Sequence, residues 1–458
     1  MKIHFIGIGG IGVSALAQYY LAQGHWVSGS DLVKSEITDF LAGKGVKIKI
    51  GEQRKENLPL DAGLVIFSPA VKENNLELKA AREKEKRGET RVMSYPQALG
   101  ELTKKYFTIA VSGTHGKSTT TAMVSLILEK AGLDPTVIIG TKLKEFGGSN
   151  FRPGRSQYLV IEADEWQASF LNYWPKIIIL TNIEKEHLDY YRDIRHILKT
   201  YREYLTHLPP DGVLIVNGGD ENIRKIILDL TGRKNKKNKQ SFLICDFQDL
   251  KRKEWGHLKK ILKIPGEHNI LNASAALAVA RFLRIPVRIS FRALALYCGA
   301  WRRFEEFEAV CDGKFFKLVN DYGHHPTEIL ATAKAAREKF KNKKIWLIFQ
   351  PHQHQRTFFL FDEFVKTFRE IKENSLADEI IITDIFDVAG REEAGISKRI
   401  NSKKLVKKIN RRGVIYLPLS KITAYLRRLV GNDEVAIIMG AGDIYKLQNS
   451  FKRFSPQS

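Results

Sequence analysis

The sequence predicts an α/β protein built from three parts: a Rossmann-like N-terminal unit, a central α/β unit around a phosphate-type loop, and a Rossmann-like C-terminal unit. Three observations predict it. Short apolar runs alternate with helical patterns along the chain, a glycine-rich turn follows the first run, and a second glycine-rich loop appears about a hundred residues later. A chain of 458 residues also exceeds one ordinary core. Breaks near residues 100 and 300 give expected domains of 1–100, 101–300 and 301–458, with no repeat of 20–50 residues.

Taken in order, KIHFIGIG (2–9) reads as a strand and GVSALAQYYLAQG (12–24) as an amphipathic helix closed by Gly24. HWVSGSD (25–31) and AGLVIFSPA (62–70) are further strands, and the alternation implies a parallel sheet with right-handed crossovers. SYPQALGELTKKY (94–106) reads as a helix-bearing connector. The central part opens with a buried strand, a glycine-rich loop and a helix ending near Gly132, followed by strands in QYLVIEAD, KIIILTNI and GVLIVNGGD. It closes with the helix NILNASAALAVARFLRI, stopped by Pro286. From WRRFEEF (301–307) onward, strands are expected in FFKLVNDY, KIWLIFQP, EIIITDIF, GVIYLP and EVAIIMG.

With 43% hydrophobic and 27% charged residues the composition is that of a soluble globular chain. No apolar run approaches the roughly 18 residues of a membrane span, and the opening MKIHFIG lacks the features of a signal peptide. Cys245, Cys298 and Cys311 form no C-x-x-C pair, which fits a reducing cytoplasm. The formal charge of +23 suits anionic ligands. Much of the excess lies in RKNKKNK (233–239) and KRKEWGHLKK (251–260), which read as solvated loops or helix faces. No aromatic–basic stripe supports a nucleic-acid-binding ATPase. The expected partners are small molecules, without nucleic acid or membrane, for a monomer or homodimer.

HFIGIGGIG (4–12) carries Gly7-x-Gly9-x-x-Gly12, and Asp31 follows the second strand at the distance of a ribose-binding acid. Alone, this pattern fits NAD, FAD, a nucleotide-diphosphate sugar or a turn without ligand. AVSGTHGKSTT (110–120) is more specific. Gly113, Gly116, Lys117 and Ser118 lie between strand and helix, so that backbone N–H groups cradle a polyphosphate, Lys117 reaches its β- and γ-phosphates, and Ser118 offers an oxygen to Mg²⁺. Val111 stands where a standard phosphate loop has glycine. EADEWQASF (162–170) and TNIEKEHLDYY (181–191) end strands with acids, and Glu162, Ser118 and Glu165 are oxygen donors suited to Mg²⁺. By residue type alone His187 reads as a helix-start histidine.

GEHNILNASAA (266–276), WRRFE (301–305), NDYGHHPTEI (320–329) and FQPHQHQRT (349–357) follow in order. Together with GIGGIG and GTHGKSTT, this series resembles the Mur ligases of bacterial peptidoglycan synthesis, along essentially the whole chain. Among them it is most similar to the branch that adds the first amino acid. The resemblance implies an N-terminal domain for the UDP-linked substrate, a central domain for MgATP and a C-terminal domain for the amino acid. The implied reaction joins L-alanine to the lactyl carboxylate of UDP-N-acetylmuramate through an acyl phosphate. Gly9, Gly10, Ile11, Gly12, Asp31 and Ser68 are then expected to hold the UDP-substrate. Gly113, Thr114, His115, Gly116, Lys117, Ser118, Thr119, Asn269, Asn272, Arg303 and Asp321 are expected at ATP, and Ser118, Glu162 and His187 at the metal. Tyr322, His324 and Arg356 are expected at the amino acid, with Lys117, Arg303 and His324 catalytic, His324 as the base.

Other readings of the same residues stand beside these. Asn269 and Asn272 could cap their helix, His325 could be structural, His352 and His354 loop polar groups, and Arg302 a surface ion-pair partner. The chain departs from the family pattern at Trp166-Gln167, Glu186, Asn320 and Gln353, the last leaving Arg356 as the lone arginine of an expected pair. Glycine or serine therefore stays open as the amino acid. The rival functions are a tripeptide-joining murein-peptide ligase and, from another class, an NAD-dependent oxidoreductase.

Overall fold

The computed structural model describes residues 1–231, 242–387, 392 and 395–454; the basic stretch 233–239 lies outside them. These residues form two compact units, one of 1–184, 197–231, 242–257 and 272–296, the other of 185–196, 258–271, 297–387, 392 and 395–454.

The first unit holds two sheets. Strands β1 (Lys2–Ile6), β2 (Trp26–Asp31), β3 (Lys47–Ile50), β4 (Leu64–Phe67) and β5 (Arg91–Ser94) pair in parallel in the order β3-β2-β1-β4-β5. The second sheet contains β6 (Phe107–Ser112), β7 (Thr136–Leu143), β8 (Ser149–Arg152), β9 (Tyr158–Glu162), β10 (Ile177–Leu180), β11 (Val213–Val216) and β12 (Leu243–Asp246), in the order β12-β11-β10-β6-β9-β7-β8. Only the β7–β8 pair in it is antiparallel. In each sheet the first strand is flanked on both sides by later ones, so the strand order reverses there. A crevice opens at the C-terminal end of such a strand. Both glycine-rich segments lie at these two points.

The connector read from the sequence is the helix Tyr95–Thr103, started by a Ser94 capping box with Pro96 in the first turn. Its Gly100 meets the turn Trp166–Asn172 so closely that a Cβ would lie 2.3 Å from the Asn172 carbonyl oxygen. The obstacle is backbone and cannot rotate away. Gly100→Ala is therefore expected to cost about 2 kcal/mol or more, read as a lowered Tm in a thermal melt; an unchanged Tm would refute this packing. The β7–β8 hairpin also ties the two sheets together. Asn150 donates to Ser14 Oγ (2.9 Å) and to the Ile11 carbonyl, and Gln18 Nε2 donates to Asn150 Oδ1 (2.7 Å).

The second unit holds β13 (Glu305–Cys311), β14 (Lys314–Asp321), β15 (Ile345–Phe349), β16 (Glu379–Ile382), β17 (Val414–Tyr416), β18 (Val435–Met439) and β19 (Lys452–Phe454), in the order β17-β16-β15-β18-β14-β13-β19. The five strands from β17 to β14 are parallel, and β13 pairs antiparallel with β14 and β19. Along β15 the side chains alternate between two cores: Ile345, Leu347 and Phe349 enter one, Trp346 and Ile348 the other. Burial on both faces explains why the central strands read as unbroken apolar runs. Asp321 and Phe349 lie level across Met439 of β18, which brings the loops after β14 and β15 to one edge of the sheet.

Candidate functional site

At the first switch point the chain leaves β1 through the glycine turn and enters the helix Ile11–Ala22. The N–H groups of Gly7 and Ile8 donate to the Ser30 carbonyl (2.8 and 3.0 Å), and the Gly9 N–H donates to Asp31 Oδ2 (2.8 Å). Asp31, expected at a ribose, thus holds the turn itself with one carboxylate oxygen, while the other accepts from the Val33 N–H (3.2 Å). The ring of Tyr95 lies where a Cβ on Gly12 would be, at 2.9 Å, and Ser68 packs beside Gly7. A buried chain supports the strand ends: His4 Nε2 meets Glu77 Oε1 (2.6 Å), and Ser30 Oγ donates to Glu77 Oε2 (2.7 Å).

At the second switch point β6 runs into GTHGKS and the helix Lys117–Lys130. Gly113 and Gly116 have φ of +128° and +81°, and a Cβ would lie 2.2 Å from Thr181 Oγ1 at the first and 2.4 Å from Asn272 Oδ1 at the second. Only glycine meets both demands. Lys117 Nζ donates to the Gly113 carbonyl (2.7 Å), the Thr114 carbonyl (3.3 Å) and Glu165 Oε2 (2.8 Å). Burial alone would lower the Lys117 pKa, yet Glu165, Asp164 and Glu162 together raise it, so the ammonium is kept. Ser118 Oγ donates to Glu162 Oε1 (3.0 Å), and the Gly140 N–H to Glu162 Oε2 (2.8 Å). Burial raises the Glu162 pKa against the opposing pull of Lys117. A half-buried carboxylate beside a hydroxyl is a hard oxygen set, and these donors fit Mg²⁺. Glu165, also read as a possible metal donor, is the counter-ion of Lys117.

Asn272 lies inside the helix Glu267–Phe282, past the N–H groups a cap serves, and its Oδ1 accepts from Thr120 Oγ1 (3.2 Å). Asn269, in the second unit, donates from Nδ2 to the Pro265 carbonyl at the helix start (2.6 Å). The capping reading is corrected for Asn272.

In the second unit, the loops after β14 and β15 collect the remaining groups. Asp321 accepts the N–H groups of Phe304 (2.9 Å) and Gly323 (2.7 Å), and burial pushes its pKa up to about 6 despite Arg303. Arg303 pairs with Glu328 (3.3 Å) and its guanidinium lies 5.1 Å from the Tyr322 ring centre. His324 Nδ1 lies 3.2 Å from the Tyr322 carbonyl, a geometry that places the proton on Nδ1 and leaves Nε2 as acceptor. Burial and then Arg356 lower its pKa to about 4, so the ring is neutral near pH 7. Arg356 donates from Nε to Glu186 Oε1 (2.9 Å) and from a terminal nitrogen to the His352 carbonyl (3.1 Å). Burial would raise the Glu186 pKa, but Arg356, helped by His187, His325 and His324, holds it well below the usual range.

Several residues differ from their sequence reading. Arg302 is no surface residue: it is 4% exposed, donates to the Gly440 and Gly442 carbonyls, and lies over the Tyr445 (4.3 Å) and Tyr322 (4.9 Å) rings. His187 does not start a helix. It has φ +54° and its carbonyl accepts from Tyr190 and Tyr191, well before the helix Ile194–Leu205. His325 caps the helix Pro326–Lys339, in line with a structural role. His354 opens the short helix His354–Phe359 and pairs with Glu392 (2.9 Å), while His352 receives Arg356.

Residues 2–107 match the catalytic-domain model of the Mur ligase family, 111–280 the Mur ligase middle domain, and 302–442 the Mur ligase glutamate ligase domain. The chain belongs to the Mur ligase family. It is similar to the UDP-N-acetylmuramate–L-alanine ligase of Acetivibrio thermocellus, at 41% identity over 98% of this chain and 95% of that protein. The protein of the same name from Syntrophotalea carbinolica is 37% identical over 99% and 98%. Among solved structures, the UDP-N-acetylmuramate-alanine ligase of Thermotoga maritima superposes with a TM-score of 0.75 at 27% identity, covering 98% of this chain and 97% of that one.

Proposed function

We propose that this chain is an ATP-dependent ligase that forms the amide between L-alanine and the lactyl carboxylate of UDP-N-acetylmuramate, in the cytoplasmic assembly of peptidoglycan precursors. The observation that carries it is the full-length likeness to ligases of that name, in a chain whose loop 113–119 presents Lys117 and the Ser118–Glu162 pair. No helix among the described residues is long and apolar enough to cross a membrane.

A carboxylate resists nucleophiles because of its charge. Transfer of the γ-phosphoryl group to one of its oxygens, with ADP leaving, gives an acyl phosphate with a good leaving group. The neutral amine then adds to the acyl carbon, and the tetrahedral intermediate loses phosphate and a proton to give the amide. In this reading Gly9–Gly12, Asp31 and Ser68 frame the UDP-substrate. Lys117 and Arg303 neutralise charge on the transferring phosphoryl. Ser118, Glu162 and His187 would hold Mg²⁺, which when bound supplies charge neutralisation at the phosphate oxygens. Asn269, Asn272 and Asp321 serve the nucleotide; Arg356 receives the alanine carboxylate as a planar fork, beside Tyr322. His324 offers Nε2 to the amine proton. Its neutrality suits an acceptor, and an anionic acyl phosphate nearby would raise its basicity.

Phosphate release from MgATP with UDP-N-acetylmuramate, measured across alanine, glycine, serine and a tripeptide, tests the proposal. Stimulation by alanine is expected; no stimulation by any of them would overturn it. Asp321 adds a pH signature. Its carboxyl is protonated below about pH 6 and ionised above it. The ATP-dependent kcat/KM is therefore expected to rise with pH through about 6, and Asp321→Asn should remove that limb; a limb that persists in the variant belongs to another group.

A further inference from the structure

The glycine-rich loop 113–119 is held from the side by the segment that follows β10. Asn182 follows β10, and its side chain pairs with the backbone of His115 twice: Oδ1 accepts the His115 N–H (2.9 Å) and Nδ2 donates to the His115 carbonyl (3.0 Å). Its own carbonyl accepts the Thr114 N–H (3.0 Å). Thr181 Oγ1 donates to the His115 carbonyl (2.6 Å), and the Glu184 N–H donates to Thr114 Oγ1 (2.8 Å). This segment is anchored in turn by the loop after β11 and the start of the helix Glu221–Thr231. Asn217 donates to the Thr181 carbonyl (2.9 Å), Asp220 accepts the Ile183 N–H (3.1 Å), and Asn222 donates to the Ile183 carbonyl (2.8 Å).

The N–H groups of Thr114 and His115 are already occupied, so neither is available to an anion. The Thr120 N–H donates to the Gly116 carbonyl as the first bond of the helix. The donors left at the helix start are the N–H groups of Gly116, Lys117, Ser118 and Thr119. We infer that Asn182 is the positioning residue of the ATP site: by occupying the first half of the loop it confines phosphate binding to Gly116–Thr119 and fixes where Lys117 stands. The inference rests on the nucleotide-binding part of the proposed function. It sharpens the sequence reading of Thr114 and His115, which then shape the cradle rather than donate backbone N–H groups to it.

The test measures affinity for MgATP and for a non-hydrolysable analogue by calorimetry, together with steady-state constants. Asn182→Ala removes two hydrogen bonds to His115 and is expected to weaken nucleotide binding roughly ten-fold and to raise KM for ATP to match. KM for UDP-N-acetylmuramate should stay within two-fold, and Tm should stay close to wild type. Asn182→Asp keeps the acceptor for the His115 N–H but sets an anion against the His115 carbonyl and near the phosphates. It is expected to bind ATP more weakly than Asn182→Ala, and added salt should narrow the gap. Thr181→Val, which removes one bond to His115 and a longer one to the Ser112 carbonyl (3.3 Å), should fall between wild type and Asn182→Ala and serves where the latter folds poorly. Wild-type nucleotide affinity in both Asn182→Ala and Asn182→Asp, or an equal rise in KM for all substrates, would overturn the inference while leaving the ligase reading intact. A wild-type protein that binds no MgATP would overturn both.

Discussion

Lys117→Met is expected to lower the rate of amide formation by about 10³-fold while UDP-N-acetylmuramate still binds. The ammonium is set in place by the Gly113 and Thr114 carbonyls and by Glu165 at 2.8 Å, and the charges of Asp164 and Glu162 also favour it. Three carboxylates keep Lys117 protonated across the working range, so its charge is always available to a phosphate. Removing it has two effects in the same direction. The developing charge on the transferring oxygens loses a donor, and Glu165, 2% exposed, is left as a buried anion facing incoming polyphosphate. Lys117→Arg keeps the charge but brings a broad planar head to a position built for a point donor, and is expected to lose at least about 10²-fold. The measurement is kcat from phosphate release, with UDP-substrate binding followed by calorimetry. Turnover near wild type in Lys117→Met would remove this residue from catalysis; lost binding of the UDP-substrate would show that its role is structural.

How far the sequence discloses such a site depends on whether its determinants are local. The Lys117 loop was legible because its requirements are met within seven residues: glycines at left-handed φ, a lysine, and hydroxyls opening a helix. The central strands were legible for a similar reason, since burial on both faces leaves unbroken runs such as IIIL in β10 and IWLIF in β15. The strands that escaped notice are mostly at or near edges. β3 (KIKI) is largely exposed, β8 (SNFR) pairs only with β7, and β12, β13 and β19 are short or polar. Their pairing is decided by the neighbour and not by their own pattern. The same division separates the site residues. Asp31 was found by spacing, but its bond to the Gly9 N–H needed the fold. Asn182 and Arg302 act through carbonyls 67 and about 140 residues away. Arginine is so rarely buried that its type argued for the surface. The signal for Asn182 was present in TNI at a strand's C-terminal end, the edge where ligands gather.

Arg356 carries the other large expected effect, and its partner in this structure is what makes the test informative. The guanidinium, expected to fork onto the alanine carboxylate, donates to a carboxylate of the chain, Glu186, with both side chains no more than 10% exposed. Arg356→Met should raise KM for alanine by about 10- to 100-fold and leave KM for ATP unchanged. It should also cost stability, about 3 kcal/mol or more, because Glu186 would stay buried without its cation. That carboxyl, now held well below the usual range, would be driven upward by burial once the arginine is gone. The loss of stability would then be largest at neutral and higher pH, where the unpaired carboxyl would have to ionise in a buried place, and smaller at low pH, where it would be protonated. Adding Glu186→Gln to Arg356→Met separates the two effects. The uncharged pair should recover most of the Tm, yet KM for alanine should remain high, since the fork is still missing. Glu186→Gln alone frees the guanidinium and should leave KM for alanine unchanged or lower. Recovery of KM together with Tm in the double variant would show that Arg356 only braces the loop, and the amino-acid carboxylate would then need another partner.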